Sequence, residues 1–222
     1  MKNTLIALFL LFTHTTMLSQ DWANLTQYQA ANAELIPGEH PVIFMGNSIT
    51  EGWVNAMPEF FTNNGYLGRG ISGQTTPQML LRFRQDVIAL KPKVVVILAG
   101  TNDIAGNTGP MTLAQVMDNV KSKADLASAN GIKVIIASVL QSFDYSWAPE
   151  KQPNLKIPEL NKMIKTYCAG SMHHYLDYFS AMVGDKNDLR AEITYDGVHP
   201  NKIGYEIMAP LASMTIGKVL GQ

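Results

Sequence analysis

The sequence predicts an α/β fold, a three-layer α/β/α sandwich with helices on both faces of a parallel sheet. Three observations carry that prediction. Short β-branched runs at residues 41–45, 93–98 and 132–137 are apolar at successive positions, as strands buried on both faces must be. Between the last two runs, Leu113, Val116, Val120, Ala124 and Ala127 recur at spacings of three and four, which lines one helix face for burial against a sheet. The alternation of the two patterns then calls for right-handed crossovers between parallel strands.

In chain order, residues 5–12 are an apolar run of eight behind Lys2, too short for a bilayer, which takes about 20 residues. With the polar stretch ending Met17-Leu18-Ser19-Gln20 they read as a secretory signal peptide over residues 1–19, cut after Ser19 or Gln20. One domain is expected over residues 20–222. Export then places the protein in the periplasm or the medium, without stable membrane insertion. Residues 21–35 read as a short helix, 41–45 as the first strand and 67–71 as a weaker one. Thr76-Pro77 opens a helix running to about residue 90, with the proline where its missing N–H costs nothing. After the strand at 93–98, Thr112 caps the helix of residues 113–127 and Gly131 ends it. The strand at 132–137 leads into an irregular stretch, residues 140–153, then a helix over 158–169 and a weak strand over 174–178. A final helix spans 201–219, with Pro210 as a point of kinking.

Composition excludes several classes. A length of 222 residues suits one domain, large enough to bury roughly 70% of the surface its unfolded chain exposes. The single cysteine, Cys168, excludes an intrachain disulfide. A net charge of −1, with no block of like charges, leaves no basic surplus for a phosphate backbone, so nucleic acid is not an expected partner.

The chemistry-bearing residues lie in loops that follow strands, where open α/β sheets bind ligands. Gly46-Asn47-Ser48-Ile49-Thr50 puts a hydroxyl at a strand end beside a helix start, whose N–H groups can face a developing negative charge; serines in turns also serve as caps. In Gly70-Ile71-Ser72-Gly73-Gln74-Thr75-Thr76, Gly73 leaves its N–H open to close approach, or serves the turn alone. In Ala99-Gly100-Thr101-Asn102-Asp103, Asn102 is either an oxyanion donor or the head of an Asx-turn. In Tyr195-Asp196-Gly197-Val198-His199-Pro200, a carboxylate three residues ahead of an imidazole can accept from Nδ1–H while Nε2 points outward, as a serine's general base requires. The 140–153 loop, with Phe143, Tyr145 and Trp147, is a substrate wall or an aromatic plug over a helix.

Competing motifs are absent. No Gly-x-Ser-x-Gly elbow, Walker A, His-Glu-x-x-His or Gly-x-Gly-x-x-Gly occurs. His173 and His174 open a strand, where neighbours point to opposite faces and cannot simply chelate. Cys168 reads as a small buried hydrophobe. His40 precedes the first strand, at the wrong edge of the sheet, which leaves His199 as the well-placed base.

The four blocks, in this order, resemble the SGNH hydrolases, the GDSL family of esterases and lipases, and the resemblance runs from Val42 to the final helix. It implies a flavodoxin-like sheet of five parallel strands ordered 2-1-3-4-5. It implies a triad of Ser48 as nucleophile, His199 as base and Asp196 as acid. It also implies an oxyanion hole from the Ser48 and Gly73 N–H groups and the Asn102 amide. Where the family name has Gly-Asp-Ser-Leu, this chain has Gly46-Asn47-Ser48-Ile49, which questions any role for a charge beside the serine. That variant and the phrase Ile71-Ser72-Gly73-Gln74-Thr75-Thr76 look closest to the branch related to platelet-activating-factor acetylhydrolase, whose members favour short acyl groups.

The implied reaction is hydrolysis of carboxylic esters through an acyl-enzyme, requiring no metal or organic cofactor. The expected substrate is a small molecule or carbohydrate carrying a short acyl group such as acetyl. A lysophospholipid or other lipid ester is the alternative, and a non-catalytic carbohydrate-binding module on the same fold is the alternative from another class. The sequence carries no sign of oligomeric state.

Overall fold

A computed structural model describes residues 21–221. The leader expected over residues 1–19 lies outside them. Five strands, β1 (Val42–Gly46), β2 (Leu67–Gly70), β3 (Val94–Leu98), β4 (Lys133–Ala137) and β5 (His174–Leu176), form one sheet in the order β2-β1-β3-β4-β5. Every neighbouring pair is parallel. The expected sandwich and strand order are therefore present, with strand ends within two residues of those read from the sequence.

The central strands are buried along their whole length, and their residues divide by parity. Ile43, Met45, Val95, Ile97, Val134 and Ile136 belong to one core. There they pack with α4 (Thr76–Asp86), α5 (Thr101–Ala105), α6 (Leu113–Ala129) and α7 (Pro153–Ala169). Val42, Phe44, Val94, Val96, Leu98 and Ile135 belong to the other. That core is covered by α2 (Ser48–Ala56), α3 (Pro58–Thr62), α8 (Phe179–Met182) and α9 (Lys202–Leu220). The period-2 alternation of a strand thus feeds two apolar layers at once.

Three helices depart from the sequence reading. Helix α4, expected to run from Thr76 to about residue 90, ends at Asp86 and is followed by a short 3-10 turn at Ile88–Leu90. In the segment read as a helix over 21–35, only α1 (Gln29–Ala33) is α-helical. The Asp21 carboxylate accepts from the N–H groups of Leu25 (2.8 Å) and Thr26 (2.9 Å), and Asn24 adopts φ +53°, so the chain turns before it can coil. Helix α7 begins at Pro153 and carries Pro158 inside. A proline there strips the carbonyl one turn earlier of its partner. That carbonyl, on Asn154, accepts instead from Asn187 Nδ2 (2.7 Å) and Gln141 Nε2 (3.3 Å). Helix α9 likewise continues through Pro210, which lies exposed.

A buried clamp fixes the strand ends that carry the site. The Arg82 guanidinium, fully buried, pairs with Asp86 (2.9 Å) and donates to the carbonyls of Gly46 (3.0 Å) and Arg69 (2.9 Å), where β1 and β2 end. Its Nε donates to Gln74 Oε1 (2.5 Å), and Gln74 Nε2 donates to Ala23 O (2.6 Å). Removing one partner of such a pair leaves an uncompensated buried charge and costs about 3–5 kcal/mol. Among the described residues no helix is long and apolar enough to cross a membrane.

Candidate active site

Strands β1, β2 and β3 end in register, Gly46 beside both Gly70 and Leu98, so the loops bearing Ser48, Gly73 and Asn102 leave the sheet side by side. Gly70 allows two backbones to approach closely: a Cβ there would overlap Glu51 N and Asn47 O. Any side chain would push β2 away from the start of α2.

Ser48 is the first residue of α2, where backbone N–H groups have no intrahelical partner and the helix dipole is positive. Asn47 caps that helix, its Oδ1 accepting from Ile49 N–H at 3.1 Å. Asparagine caps about as well as aspartate, so the departure from Gly-Asp-Ser-Leu keeps the capping hydrogen bond and forgoes only a charge–dipole term of about 0.3–1 kcal/mol.

Ser48 Oγ lies 2.9 Å from His199 Nε2, and His199 Nδ1 lies 2.7 Å from Asp196 Oδ2. The second carboxylate oxygen accepts from the N–H groups of Val198 (3.0 Å) and His199 (2.8 Å). Partial burial alone would raise the Asp196 pKa. The His199 N–H, its ring and the Val198 N–H outweigh that and hold the carboxyl below the usual range. The turn is locked by Thr194, whose hydroxyl donates to His199 O (2.7 Å) and accepts from Gly197 N–H (3.0 Å). Tyr205 ties α9 to α2, its hydroxyl donating to Ile49 O at 2.9 Å.

Gly73 and Asn102 make no hydrogen bond with this line and are joined to each other's loops. Asn102 Nδ2 donates to Gln74 O (3.0 Å), and Asn107 Nδ2 donates to Gly73 O (3.0 Å). The second N–H of the Asn102 amide and the Gly73 N–H have no protein partner among the described residues. Gly73 sits at φ +77°, with only Asn107 Nδ2 within 4 Å of where a Cβ would be. Backbone conformation rather than crowding demands the glycine. Asp103 turns inward and accepts from Thr76 N–H (2.8 Å) and its hydroxyl (2.5 Å), bolting the loop after β3 to the start of α4. Lys123 donates to Thr76 O beneath (3.2 Å), and burial brings its pKa down to about 7.

A cavity of about 530 Å³ opens at Ser48 and His199, walled by Glu51, Asn55, Ser72, Tyr195 and Tyr205 among others. Gly73 and Asn102 are not among the residues that line it. Glu51 Oε2 accepts from Ser72 N–H (2.9 Å) and from the Ser72 hydroxyl. The aromatic loop divides by burial. Tyr145 is fully buried, a plug. Trp147 is half-exposed, stacked on Tyr145 at 4.9 Å, with its ring centroid 6.3 Å from that of His199. Its Nε1 donates to Asn107 Oδ1 at 3.4 Å.

The sequence reading missed Asn107, Thr194, Glu51 and Tyr205, since nothing local marks them. Of the residues it set aside, His40 holds Gly65 O at the N-terminal end of β1 (2.9 Å). Cys168 is buried, its thiol pushed up to about 11 by desolvation, which keeps it from being a thiolate. Among the described residues no three His, Cys, Asp or Glu side chains gather as metal ligands.

The model of the GDSL-like lipase/acylhydrolase family matches residues 44–207, a span holding all four blocks. The chain belongs to this family. A GDSL-like lipase from Bacteroides thetaiotaomicron VPI-5482 is 47% identical, with a TM-score of 0.86 over 88% of this chain and 98% of that one. Esterase TesA of Pseudomonas aeruginosa is 27% identical over 79% of this chain and 83% of its own. An acetyl xylan esterase shares the fold at 23% identity, with a TM-score of 0.66 over 79% of this chain and 98% of that one. As a GDSL-like acylhydrolase, the protein is a carboxylic ester hydrolase.

Proposed function

We propose that the protein removes short acyl groups, acetyl above all, from carbohydrates through an acyl-enzyme on Ser48. The observation that carries this is the hydrogen-bonded line from Ser48 through His199 to Asp196 at the mouth of a cavity edged by Glu51, Asn55 and Ser72. Asp196 accepts from Nδ1–H and so fixes the tautomer in which Nε2 accepts the serine proton. Ser48 Oγ attacks the ester carbonyl while its proton passes to His199. The oxyanion forms among the Ser48 N–H, the Gly73 N–H and the free N–H of Asn102. His199 returns the proton to the departing alcohol, then takes one from the water that cleaves the acyl-serine bond.

The cavity supports the choice of alcohol. Packing a long acyl chain against Glu51, Asn55 and Ser72 would strip water from a carboxylate, an amide and a hydroxyl without replacing their hydrogen bonds. A polyol replaces those bonds. Trp147, held by Tyr145 and Asn107, offers an amphipathic ring for a sugar face. The leader expected at the N-terminus suits an enzyme that meets glycans outside the cytoplasm.

A fluorophosphonate is expected to label Ser48 in the folded protein, and acetylated sugars are expected to be turned over faster than lysophospholipids or long-chain p-nitrophenyl esters. An unlabelled serine removes the nucleophile, and long-chain preference replaces the sugar ester with a lipid. Asn102→Ala is expected to raise the barrier by about 2.7–4 kcal/mol, read as a fall in kcat. A change confined to KM would make Asn102 a binding residue instead.

A further inference from the structure

Helix α2 separates two cavities. Glu51 and Asn55, one turn apart on its exposed side, line both the catalytic cavity and a second one of about 630 Å³. Positions four apart share a helix face, so the pair forms a polar ridge between them. Asn55 is exposed, and its amide has no partner among the described residues. Glu51 spends only Oε2 on Ser72. The ridge therefore presents a free carboxylate oxygen and a free amide at the boundary.

The second cavity has an aromatic floor, with the Glu51–Asn55 ridge as its polar edge. Tyr66 packs on Phe44 and Phe60 at 5.7 Å. Tyr28 is held by its hydroxyl on Gly70 O, with the Arg69 guanidinium 4.6 Å from its ring centroid. An aromatic floor with the Glu51–Asn55 ridge at its edge matches the C–H face and hydroxyl edge of a sugar ring. An alkyl chain crossing from the serine would desolvate Glu51, and an anionic unit would meet its charge.

We propose that this cavity is a subsite for the sugar next to the one that carries the ester. The substrate is then an acylated neutral glycan of at least two units, bridged by Glu51 and Asn55. The proposal rests on the reading of Ser48 as the nucleophile of sugar-ester hydrolysis. Occupying the subsite contributes hydrogen bonds and stacking that a monosaccharide cannot make, and about 1.4 kcal/mol corresponds to a tenfold gain.

The test is kcat/KM of the full chain on acetylated xylose, xylobiose and xylotriose, with p-nitrophenyl acetate alongside. A rise of about tenfold or more from xylose to xylobiose is expected. Asn55→Ala removes the ridge amide from an exposed helical site, and Thr62→Trp fills the cavity from its exposed wall. In both variants the xylobiose-to-xylose ratio is expected to fall towards one. A ratio near one in the unaltered protein, or one that neither variant changes, overturns the subsite while turnover of p-nitrophenyl acetate keeps the serine esterase standing. Failure to hydrolyse any of these esters overturns both.

Discussion

Ser48→Ala is expected to lower ester turnover by four to six orders of magnitude, on the order of what loss of a triad serine costs in other hydrolases. The side chain's hydrogen bond is the 2.9 Å contact with His199 Nε2, and no other is made among the described residues. Alanine at the first position of α2 is sterically harmless and keeps the backbone N–H. The folded structure, its cap at Asn47 and the candidate oxyanion donors therefore survive, and only the attacking oxygen is lost. Measured kcat on p-nitrophenyl acetate beside the melting temperature separates the effects. Turnover within tenfold of the unaltered enzyme removes Ser48 from the mechanism.

Asp196→Asn is expected to cost about 10⁴-fold in kcat. The carboxylate makes two kinds of contact, Oδ1 with the backbone N–H groups of Val198 and His199 and Oδ2 with the imidazole. An asparagine keeps the first through its carbonyl and turns its NH₂ towards Nδ1. That nitrogen must then accept, which puts the ring proton on Nε2, where it donates to Ser48 and cannot take a proton from it. The turn stays folded because Thr194 still locks His199 O and Gly197 N–H. A loss below tenfold, with the melting temperature unchanged, would mean that His199 is oriented by other groups.

The residues legible in the sequence are those whose work is local. Asp196 and His199 are three residues apart in one turn, so spacing alone expressed their contact. Ser48, Gly73 and Asn102 follow strands that the apolar pattern marks. The supporting residues act across the fold, Asn107 on Gly73 from 34 positions away and Tyr205 on Ile49 from 156. No local pattern encodes such contacts. The start of α7 went astray for the same reason. Pro158 reads as a helix start because its damage to α7 is repaired by Asn187, 33 positions beyond the carbonyl it bonds. The aromatic loop stayed undecided because burial separates Tyr145 from Trp147, and burial is a tertiary fact.

The separation of 151 residues between Ser48 and His199 also sets when the site comes into being. Chains grow from the N-terminus at about 5–20 residues per second. The serine is therefore made roughly 8–30 s before the histidine proposed to activate it. Until the turn at Thr194 and the tyrosine of α9 have emerged, the nascent chain has a hydroxyl and no base. In the proposed mechanism no ester can be cleaved until residue 199 has been added and its turn has folded.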